Sequence, residues 1–399
     1  MTCDTDILIS GGGVAGLTAA AAFGSAGFRV VIVDPTPPVT DENSTGADLR
    51  TTAFLQPSQR LLEQAGLWSR LAPFAAPLQI MRIVDAGGVE PEPRVIKDFD
   101  AADLSELPFG WNLPNWLLRR EMVARLAELG NVDFRPGIGF ASMVTRQAHA
   151  RVRLSDGTSL NCKLVIGADG RNSAVRNAAD IGVKTTRYGQ KAVVFAVTHG
   201  LAHQNISTEV HRSGGPFTLV PLPDQDGRPC SSVVWMEKGP ECLRLAALSD
   251  ADFEAEATAR SAGMYGQLKL ASKRQVWPII SQIAHQMTAE RTALVAEAAH
   301  VVPPIGAQGL NMSLADMICL LELAQANPDQ LGDAKMMQTY ERRRHPEVAL
   351  RVRGVDALNR TSMLGAPSLR DLRAKGIEAL YSLTPLRKSL MKLGLGTGR

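Results

Sequence analysis

The sequence is poor in cysteine. Its five cysteines are odd in number and widely spaced, at positions 3, 162, 230, 242 and 319, and none forms a CxxC pair. This spacing argues against a disulfide framework and against a zinc site. We therefore expect no bound metal and a protein of the reducing cytoplasm.

Long apolar runs are also absent. No stretch of about 18 apolar residues occurs, so we expect no transmembrane helix. Residues 1–4 carry no basic charge and lead almost at once into an apolar run, so we expect no secretory signal. The content of 45% hydrophobic and 21% charged residues is ordinary for a soluble globular protein. A length of 399 residues predicts two domains, with room for a tail.

Basic charge is concentrated at the end of the chain. The net charge is +3, but residues 341–399 carry 13 Lys and Arg against five Asp and Glu, a net of +8. The remainder of the chain is therefore at −5. Any role of the excess positive charge belongs to this last segment.

A glycine-rich turn near the start separates two apolar runs. Residues 6–10 predict a strand, Gly11-Gly12-Gly13-Val14-Ala15-Gly16 a turn, residues 17–27 a helix, and residues 29–33 a second strand that ends in Asp34. This order is the dinucleotide-binding fingerprint, in which the acid accepts hydrogen bonds from a ribose. A βαβ unit that binds nothing is the alternative, and the complete order favours a bound dinucleotide.

The glycines of this turn have separate roles. Gly11 allows a tight turn, Gly13 lets the backbone approach a pyrophosphate, and Gly16 lets helix and strand pack closely. The free N–H groups at the start of the helix, at Val14 and Ala15, then point toward the phosphates.

Further elements follow from apolar spacing. Helices are predicted at 59–71, 118–129, 310–326 and over most of 342–399; strands at 132–134 and 293–295; a hairpin at 150–166; an antiparallel sheet at 188–234; an extended stretch at 77–99; and mixed structure at 243–282.

Three motifs occur in a characteristic order. The glycine turn at 11–16, Gly167-Ala168-Asp169-Gly170, and the run from Ala296 to Asn311 together resemble the single-component FAD-dependent aromatic hydroxylases related to p-hydroxybenzoate hydroxylase. Residues 48–57 and the tail at 340–396 match further blocks of that family, so the resemblance covers nearly the whole chain. The tail and the PPIGAQG block are most similar to the hydroxylases of ubiquinone biosynthesis, whose substrate is a polyprenylated phenol.

The resemblance implies an α/β fold. A Rossmann-type FAD-binding domain would carry an inserted antiparallel-sheet substrate domain and a helical C-terminal tail. The implied ranges are 1–75, 105–180 and 284–340 for the FAD-binding domain, 76–104 and 181–283 for the substrate domain, and 341–399 for the tail.

It also implies cofactor contacts. Asp34 matches the acid that holds the adenosine ribose, Arg50 matches the arginine at the pyrophosphate, and Arg119 falls where a polar residue contacts FAD. Asp169-Gly170 matches a motif for both FAD and nicotinamide binding, with Arg176 supporting it. A plain turn is the alternative for Asp169-Gly170 taken alone.

The third motif departs from the family pattern. The family has Gly-Asp, whose carboxylate holds the ribityl chain, and this chain has Ala296-Glu297. The alanine adds a methyl group where glycine permits close approach. We expect Glu297 to reach a ribityl hydroxyl. His300, inside the same motif, is expected to be a hydrogen-bonded core histidine.

The run that follows is expected to pass under the flavin ring. Gly306 and Gly309 would free the backbone there, and Pro303 and Pro304 would stiffen the loop beside the reactive carbon. The helix beginning near Leu310 would point its positive end at the anionic edge of reduced flavin. The implied catalytic residues are Pro303, Pro304 and Gly306, and the implied cofactor contacts of this run are Gly306, Gly309, Leu310 and Asn311.

The family chemistry defines the expected reaction. NAD(P)H reduces FAD, oxygen adds to flavin C4a, and the resulting hydroperoxide hydroxylates a phenolic ring. We expect no protein nucleophile, no metal and no nucleic-acid partner. Two alternatives are a hydroxylase of a small soluble phenolic acid and a non-catalytic flavoprotein accessory subunit.

The tail combines basic charge with a leucine stripe. Leucines recur mostly at helical spacing, at Leu369, Leu372, Leu380, Leu383, Leu386, Leu390 and Leu393, with Arg387, Lys388 and Lys392 beside the last three. This pattern predicts salt-sensitive peripheral contact, through residues after about Ser368, with the inner face of the membrane. A core face packed on the same protein is an equal alternative. Other proteins of ubiquinone biosynthesis are further expected partners.

Overall fold

The fold is described from a computed structural model, which covers residues 3–88, 92–212, 214–363, 378 and 381–395. Over these ranges the strands form three sheets of eight, nine and three strands. The helices are α1 Val14–Ser25, α2 Gln56–Gln64, α3 Trp68–Leu71, α4 Asn115–Ala127, α5 Ala174–Ala178, α6 Gly239–Ala247, α7 Asp250–Arg260, α8 Gln308–Ala326, α9 Ala334–Ser362 and α10 Thr384–Leu395.

The eight-stranded sheet is built around the first strand. Its members are β1 Thr5–Ser10, β2 Val30–Asp34, β8 Val132–Pro136, β9 Phe140–Thr145, β10 Ala150–Leu154, β11 Ser159–Gly167, β18 Thr288–Ala289 and β19 Thr292–Leu294. Strands β19, β11, β1, β2 and β8 lie side by side and parallel. Apolar residues of β1 and β2 are buried on both faces, as expected for a parallel sheet covered by helices.

The nine-stranded sheet is mainly antiparallel. Its members are β5 Ile80–Asp85, β6 Val95–Asp100, β12 Val183–His199, β13 Ile206–His211, β14 Pro216–Gln225, β15 Arg228–Lys238, β16 Leu268–Leu270, β17 Gln275–Ala284 and β20 His300–Val301. The long strand β12 pairs with both β15 and β17. Strand β20 follows the Ala296-Glu297 motif and pairs with β17, so this motif joins the two large sheets.

The three-stranded sheet is small, and its strands lie along the sequence between strands of the two larger sheets. It consists of β3 Thr51–Leu55, β4 Ala76–Leu78 and β7 Gly110–Pro114, with β7 in the middle. A hydroxyl contact of 2.8 Å between Thr51 Oγ1 and Ser232 Oγ connects it to the antiparallel sheet.

The predicted α/β fold is confirmed, with differences in detail. The helix predicted at 59–71 is two helices, because Gly66 adopts a left-handed φ of +69° that ends α2. Helix α9 begins before the predicted stretch and continues through Pro346. Apolar spacing does not predict strand β9, because none of its residues is buried and they lack apolar alternation. No helix within the described ranges is long and apolar enough to span a bilayer.

A small apolar cluster lies where the nine-stranded sheet meets α9. Its buried members are Ala192, Val194, Met236, Ile279, Ile305 and Val355. We call this set the junction cluster. It joins three strands of the antiparallel sheet to the loop at 303–307 and to the inner side of α9.

Candidate functional site

The glycine turn after β1 is tightly packed on one side and open on the other. Gly11 has a φ of +116°, and a Cβ there would overlap the carbonyl of Ala168. A Cβ at Gly16 would overlap the carbonyl oxygen of Gly11. A Cβ at Gly13 would meet no atom of the described residues within 4 Å. Packing therefore requires Gly11 and Gly16, whereas Gly13 borders free space.

The start of α1 faces that free space. Gly13 is its N-cap and no side chain caps it. The first N–H that finds an acceptor within the helix is that of Leu17, which donates to Gly13 O at 2.9 Å. The N–H groups of Val14, Ala15 and Gly16 lie before this bond, at the positive end of the helix. This end can bind an anion.

Asp34, at the end of β2, closes the turn. Its Oδ2 accepts the Gly12 N–H at 2.5 Å and its Oδ1 accepts the Thr36 N–H at 2.7 Å. Each carboxylate oxygen can accept a further bond. The predicted ribose acceptor therefore lies directly beside the glycine turn.

A buried carboxylate organises the two predicted cofactor arginines. Asp48 accepts two bonds from Arg50, each of 2.8 Å, one from Asn115 at 3.0 Å and one from Arg119 at 3.4 Å. Burial alone would raise the pKa of Asp48, but these donors hold it below its usual range. Asp48 is thus an anion that fixes both guanidinium groups.

Strand β17 adds two residues that do not stand out in the sequence. The Arg50 guanidinium lies over the Trp277 ring, 4.1 Å from its centroid. Two residues earlier, Gln275 donates to the carbonyl of Ala47 at 2.9 Å. Alternating positions on one strand share a face, so Gln275 and Trp277 both point toward the loop that carries Asp48. In the sequence, the one signal for this pair is that Trp277 lies two positions after Gln275, the spacing of residues on one face of a strand.

Several buried polar atoms around the motifs have no hydrogen-bond partner. Among the buried side-chain atoms that make no hydrogen bond within the described part of the chain, five belong to the motif residues, to Arg119 and to β17: Arg119 Nε, Asp169 Oδ1, Arg176 Nε, Gln275 Oε1 and Trp277 Nε1. Buried polar atoms without hydrogen-bond partners are rare in folded proteins. Together with the open space at Gly13, they fit a polar, phosphate-bearing cofactor.

The predicted Asp169-Gly170 turn is connected to the third motif through a buried arginine. Asp169 Oδ2 accepts the Val175 N–H at 3.1 Å, and Gly170 has a φ of +81°. Arg176 donates to Ala298 O and to Arg171 O, at 2.9 Å each. Burial lowers the pKa of Arg176. Its side chain therefore braces the two motifs against each other.

The substitution of alanine for the family glycine has a backbone consequence. Ala296 has a φ of +56°, in the left-handed region that favours glycine, and opens a short 3₁₀ turn closed by the Ala299 N–H at 2.9 Å. The adjacent Glu297 carboxylate lies 3.4 Å from Arg171 Nε and is 44% exposed. Burial lowers the pKa of Arg50, but Asp48 and, to a smaller extent, the Glu297 charge raise it overall.

We expect Ala296→Gly to stabilise the protein by about 1 kcal/mol. A left-handed alanine costs roughly 1–2 kcal/mol, and the greater freedom of glycine in the unfolded chain offsets part of the gain. The measurement is the free energy of unfolding in urea. The matched control is Ala22→Gly inside α1, which should destabilise because Ala22 has ordinary helical geometry. A destabilised Ala296→Gly protein would contradict the strain.

The loop after β20 is held by its own backbone and by one amide side chain. The Ile305 N–H donates to Pro303 O at 2.8 Å, and Gly306 has a left-handed φ of +62°. Asn311 accepts from the Leu55 N–H and the Ser58 hydroxyl, at 2.9 and 2.7 Å. It also donates to the carbonyl oxygens of Ala53 and Ala307, at 2.7 and 2.6 Å.

These bonds occupy the whole side-chain amide of Asn311, which ties α8 to β3. A cofactor contact at this residue would therefore use its backbone N–H, as at Leu310. Helix α8 begins at Gln308, two residues before the predicted start. A Cβ at Gly309 would touch only Val302 among the described residues, at 4.0 Å.

His300 is a buried, hydrogen-bonded core residue, which confirms the sequence interpretation. Its Nε2 lies 2.7 Å from Asp316 Oδ2, and Arg344 Nε donates to Asp316 Oδ1 at 2.8 Å. Burial alone would raise the pKa of Asp316, but the charges of His300 and Arg344 hold it below its ordinary value. This trio ties the motif to α8 and α9.

The geometry agrees with comparisons to known proteins. A family model described as FAD binding domain matches residues 4–354. The chain is 32% identical over 395 residues to the ubiquinone hydroxylase UbiL of Rhodospirillum rubrum, covering 98% of this chain and 90% of that protein. It is 26% identical over 404 residues to the 3-demethoxyubiquinol 3-hydroxylase of Escherichia coli, covering 98% of each.

Solved structures share the fold. The p-nitrophenol 4-monooxygenase PnpA of Pseudomonas putida superposes with a TM-score of 0.80 at 19% identity, over 100% of both chains. PqsL of P. aeruginosa superposes with a TM-score of 0.76 at 21% identity, over 94% of this chain and 99% of that one. The parallel sheet with its glycine turn is thus the Rossmann-type part of a shared architecture. The chain belongs to the FAD-binding-domain family of flavin-dependent aromatic monooxygenases.

Proposed function

We propose that this protein hydroxylates the ring of a polyprenylated phenol in ubiquinone biosynthesis, using FAD, NAD(P)H and O2. The observation that carries the proposal is the direct contact between the three motifs. Gly11 packs on Ala168, Arg176 donates to Ala298 O, and Glu297 pairs with Arg171. The similarity to ubiquinone hydroxylases over nearly the whole chain supports the same substrate class.

The protein's own residues would hold and orient the cofactor. Bound FAD supplies reduction by NAD(P)H and activation of oxygen. The open side of the turn at Gly13 and the start of α1 accept the pyrophosphate, and Asp34 accepts the ribose hydroxyls. Arg50 and Arg119, fixed by Asp48, offset the phosphate charge.

Other residues would shape the reaction space. The loop from Pro303 to Gly306 and the positive end of α8 would lie beside the flavin ring and would exclude water. The junction cluster includes Ile305 of this loop, so the loop packs against buried apolar side chains. We propose the domain division given above, with the substrate bound between the two larger parts. Apolar packing behind this loop suits a prenylated substrate better than a small phenolic acid.

The decisive experiment is product analysis with matched prenylated and unprenylated phenols. We expect substrate-dependent NAD(P)H oxidation and hydroxylated product with the prenylated phenol. Equal or faster turnover of a small phenolic acid would favour the soluble-substrate alternative. A protein that binds flavin but oxidises no NAD(P)H with any phenol would favour the accessory-subunit alternative.

Glu297→Ala is expected to weaken FAD binding by about 1–3 kcal/mol, the range for a lost charge-assisted hydrogen bond. The reason is that its carboxylate replaces the family aspartate at the ribityl chain. The measurement is FAD titration of the apoprotein. Glu290→Ala, an exposed glutamate in the preceding turn, is the matched control. Full affinity in Glu297→Ala would remove this residue from the site, and the double change Ala296→Gly with Glu297→Asp should bind FAD at least as well as the parent.

We further propose peripheral contact of the tail with the inner face of the membrane. Leu369, Leu372 and Leu380 lie outside the described residues, as do the side chains of Leu386, Leu390 and Leu393. Arg387 bonds Asp103 at 3.1 Å and lies over the Tyr381 ring, so it docks α10 on the protein. Lys388 and Lys392 form no ion pair with described residues and remain as the basic contacts.

Lys388→Glu with Lys392→Glu should lower the fraction of protein that sediments with anionic vesicles at low salt. Each basic side chain near such a surface contributes about 1 kcal/mol, and charge reversal replaces attraction with repulsion. Co-sedimentation at low and high salt is the measurement. If the double variant sediments as the parent does, α10 is structural and the tail proposal fails.

A further inference from the structure

Helix α9 has an inner face that packs against the rest of the protein and an outer face that is exposed to solvent. The inner face is buried through Met336, Met337, Tyr340, Arg344, Val348, Val352, Val355, Asn359 and Ser362. From residue 342 to the end of the helix the exposed residues are Arg342, Arg343, Pro346, Leu350, Arg353, Gly354, Ala357, Leu358, Arg360 and Thr361. We call the exposed set the outer face of α9.

Two large leucines project from the outer face. Leu350 is 67% exposed and Leu358 is 58% exposed. They are eight residues apart, which places them about 12 Å from each other along the helix. Single exposed leucines are common on soluble proteins, whereas two on one helix face with small residues between them form an apolar strip.

The charge of the outer face has one sign. It carries four arginines and no acidic residue. Arg360 is paired with Asp356 at 3.0 Å, while Arg342, Arg343 and Arg353 form no ion pair with any residue that the structure describes. A two-fold contact between copies would bring arginines against arginines, which like charge disfavours. The face instead complements an anionic surface.

We propose that the outer face of α9 rests on an anionic bilayer, with Leu350 and Leu358 at the boundary of the acyl chains and the arginines on lipid phosphates. A basic amphipathic helix lying in the membrane plane has this arrangement. The proposal rests on the proposed function, because a polyprenylated phenol dissolves in the bilayer and must be collected there. It adds a surface separate from α10.

The same helix backs the proposed reaction space. Val355, on its inner face, belongs to the junction cluster together with Ile305 of the flavin loop. Tyr188 donates to Asp356 at 2.5 Å and Asn359 donates to Gln190 at 2.8 Å, so this end of α9 is fixed to the antiparallel sheet. A helix is about 10 Å across. The bilayer would therefore lie about one helix width from the junction cluster beside the loop.

The test uses holoenzyme and vesicles of phosphatidylcholine, with and without phosphatidylglycerol. Two variants remove one feature each: Leu350→Ser with Leu358→Ser, and Arg343→Glu with Arg353→Glu. Their matched controls are Leu201→Ser with Leu243→Ser, where the leucines are 57% and 52% exposed, and Arg151→Glu with Arg153→Glu on exposed positions of β10. Co-sedimentation at low salt is measured beside FAD content.

We expect the parent and both controls to sediment only with vesicles that contain phosphatidylglycerol. The arginine variant should lose at least about tenfold in partitioning, since each arginine contributes about 1 kcal/mol. The leucine variant should lose at least about tenfold as well, since it removes the apolar area that would be buried in the bilayer. FAD content and NAD(P)H oxidation with a short-chain soluble phenol should stay at the parent level. A parent protein that holds no FAD or oxidises no NAD(P)H with that phenol would instead mean failure of the proposed function.

Three results would overturn the proposal. The outer-face variants could sediment as well as their controls, which would leave any membrane contact to α10. The parent could fail to sediment with either kind of vesicle. Finally, sedimentation equilibrium without vesicles could show that the parent is a dimer and the leucine variant a monomer. In that case the outer face binds a second copy of the chain.

Discussion

Gly13→Val is expected to give a folded protein without bound flavin. A Cβ at Gly13 meets no described atom within 4 Å, and its φ of −73° is allowed for any residue, so the change adds no strain. The added isopropyl group instead fills the space in which the backbone should approach the pyrophosphate. Flavin absorbance of the purified protein measures the loss, and circular dichroism checks the fold.

Two other glycines make this prediction specific. Gly130→Val adds the same group where the described residues also leave a Cβ free, outside the turn, and should retain FAD. Gly16→Ala should instead destabilise the fold, because its Cβ would overlap the carbonyl of Gly11. A yellow, fully loaded Gly13→Val protein would remove the turn from the FAD site.

Asp316→Asn should lower the free energy of unfolding by about 3–5 kcal/mol, the usual result of removing one partner from a buried ion pair. Asp316 is wholly buried between His300 and Arg344, and the neutral amide would leave the Arg344 cation with less compensation. The bonds join the Glu297 motif to α8 and α9, so the loss should extend to FAD retention. Urea unfolding of the apoprotein isolates the stability effect.

An exposed pair provides the contrast. Glu241→Gln removes one of the two carboxylate partners of Arg244, the other being Glu256, on a solvent-exposed surface of α6, and such pairs contribute about 0–1 kcal/mol. An Asp316→Asn protein that loses no more than this would show that the buried trio does not stabilise the fold. The two variants should be compared at neutral pH.

The pH dependence has a defined sign. The pKa of Asp316 is held below its ordinary value by His300 and Arg344. Its stabilising contribution is therefore complete above the unfolded pKa of about 3.9 and disappears as the pH falls through the lower folded pKa. Asp316→Asn should lack this part of the acid-induced loss of stability. An unchanged acid profile would contradict the assignment.

Much of the fold and part of the site follow from adjacent residues. The order from β1 through the glycine turn to Asp34 is contiguous, so residue type and spacing determine its local geometry. The same holds for the hairpin around Asp156-Gly157, which forms between β10 and β11 as its turn residues predict. These elements required no knowledge of distant partners.

The sequence alone thus determined the nucleotide-binding unit and, by resemblance, the family. Tertiary structure decided how the motifs meet: Arg50 lies over Trp277, Arg176 bonds Ala298, and Asn311 holds β3. Each pair joins residues more than a hundred positions apart, and no local spacing encodes such contacts. Backbone turns and periodic apolar faces depend on residues that are close in the sequence, so they can be predicted from it. The pairing of buried polar groups depends instead on which distant segments the folded sheets bring together.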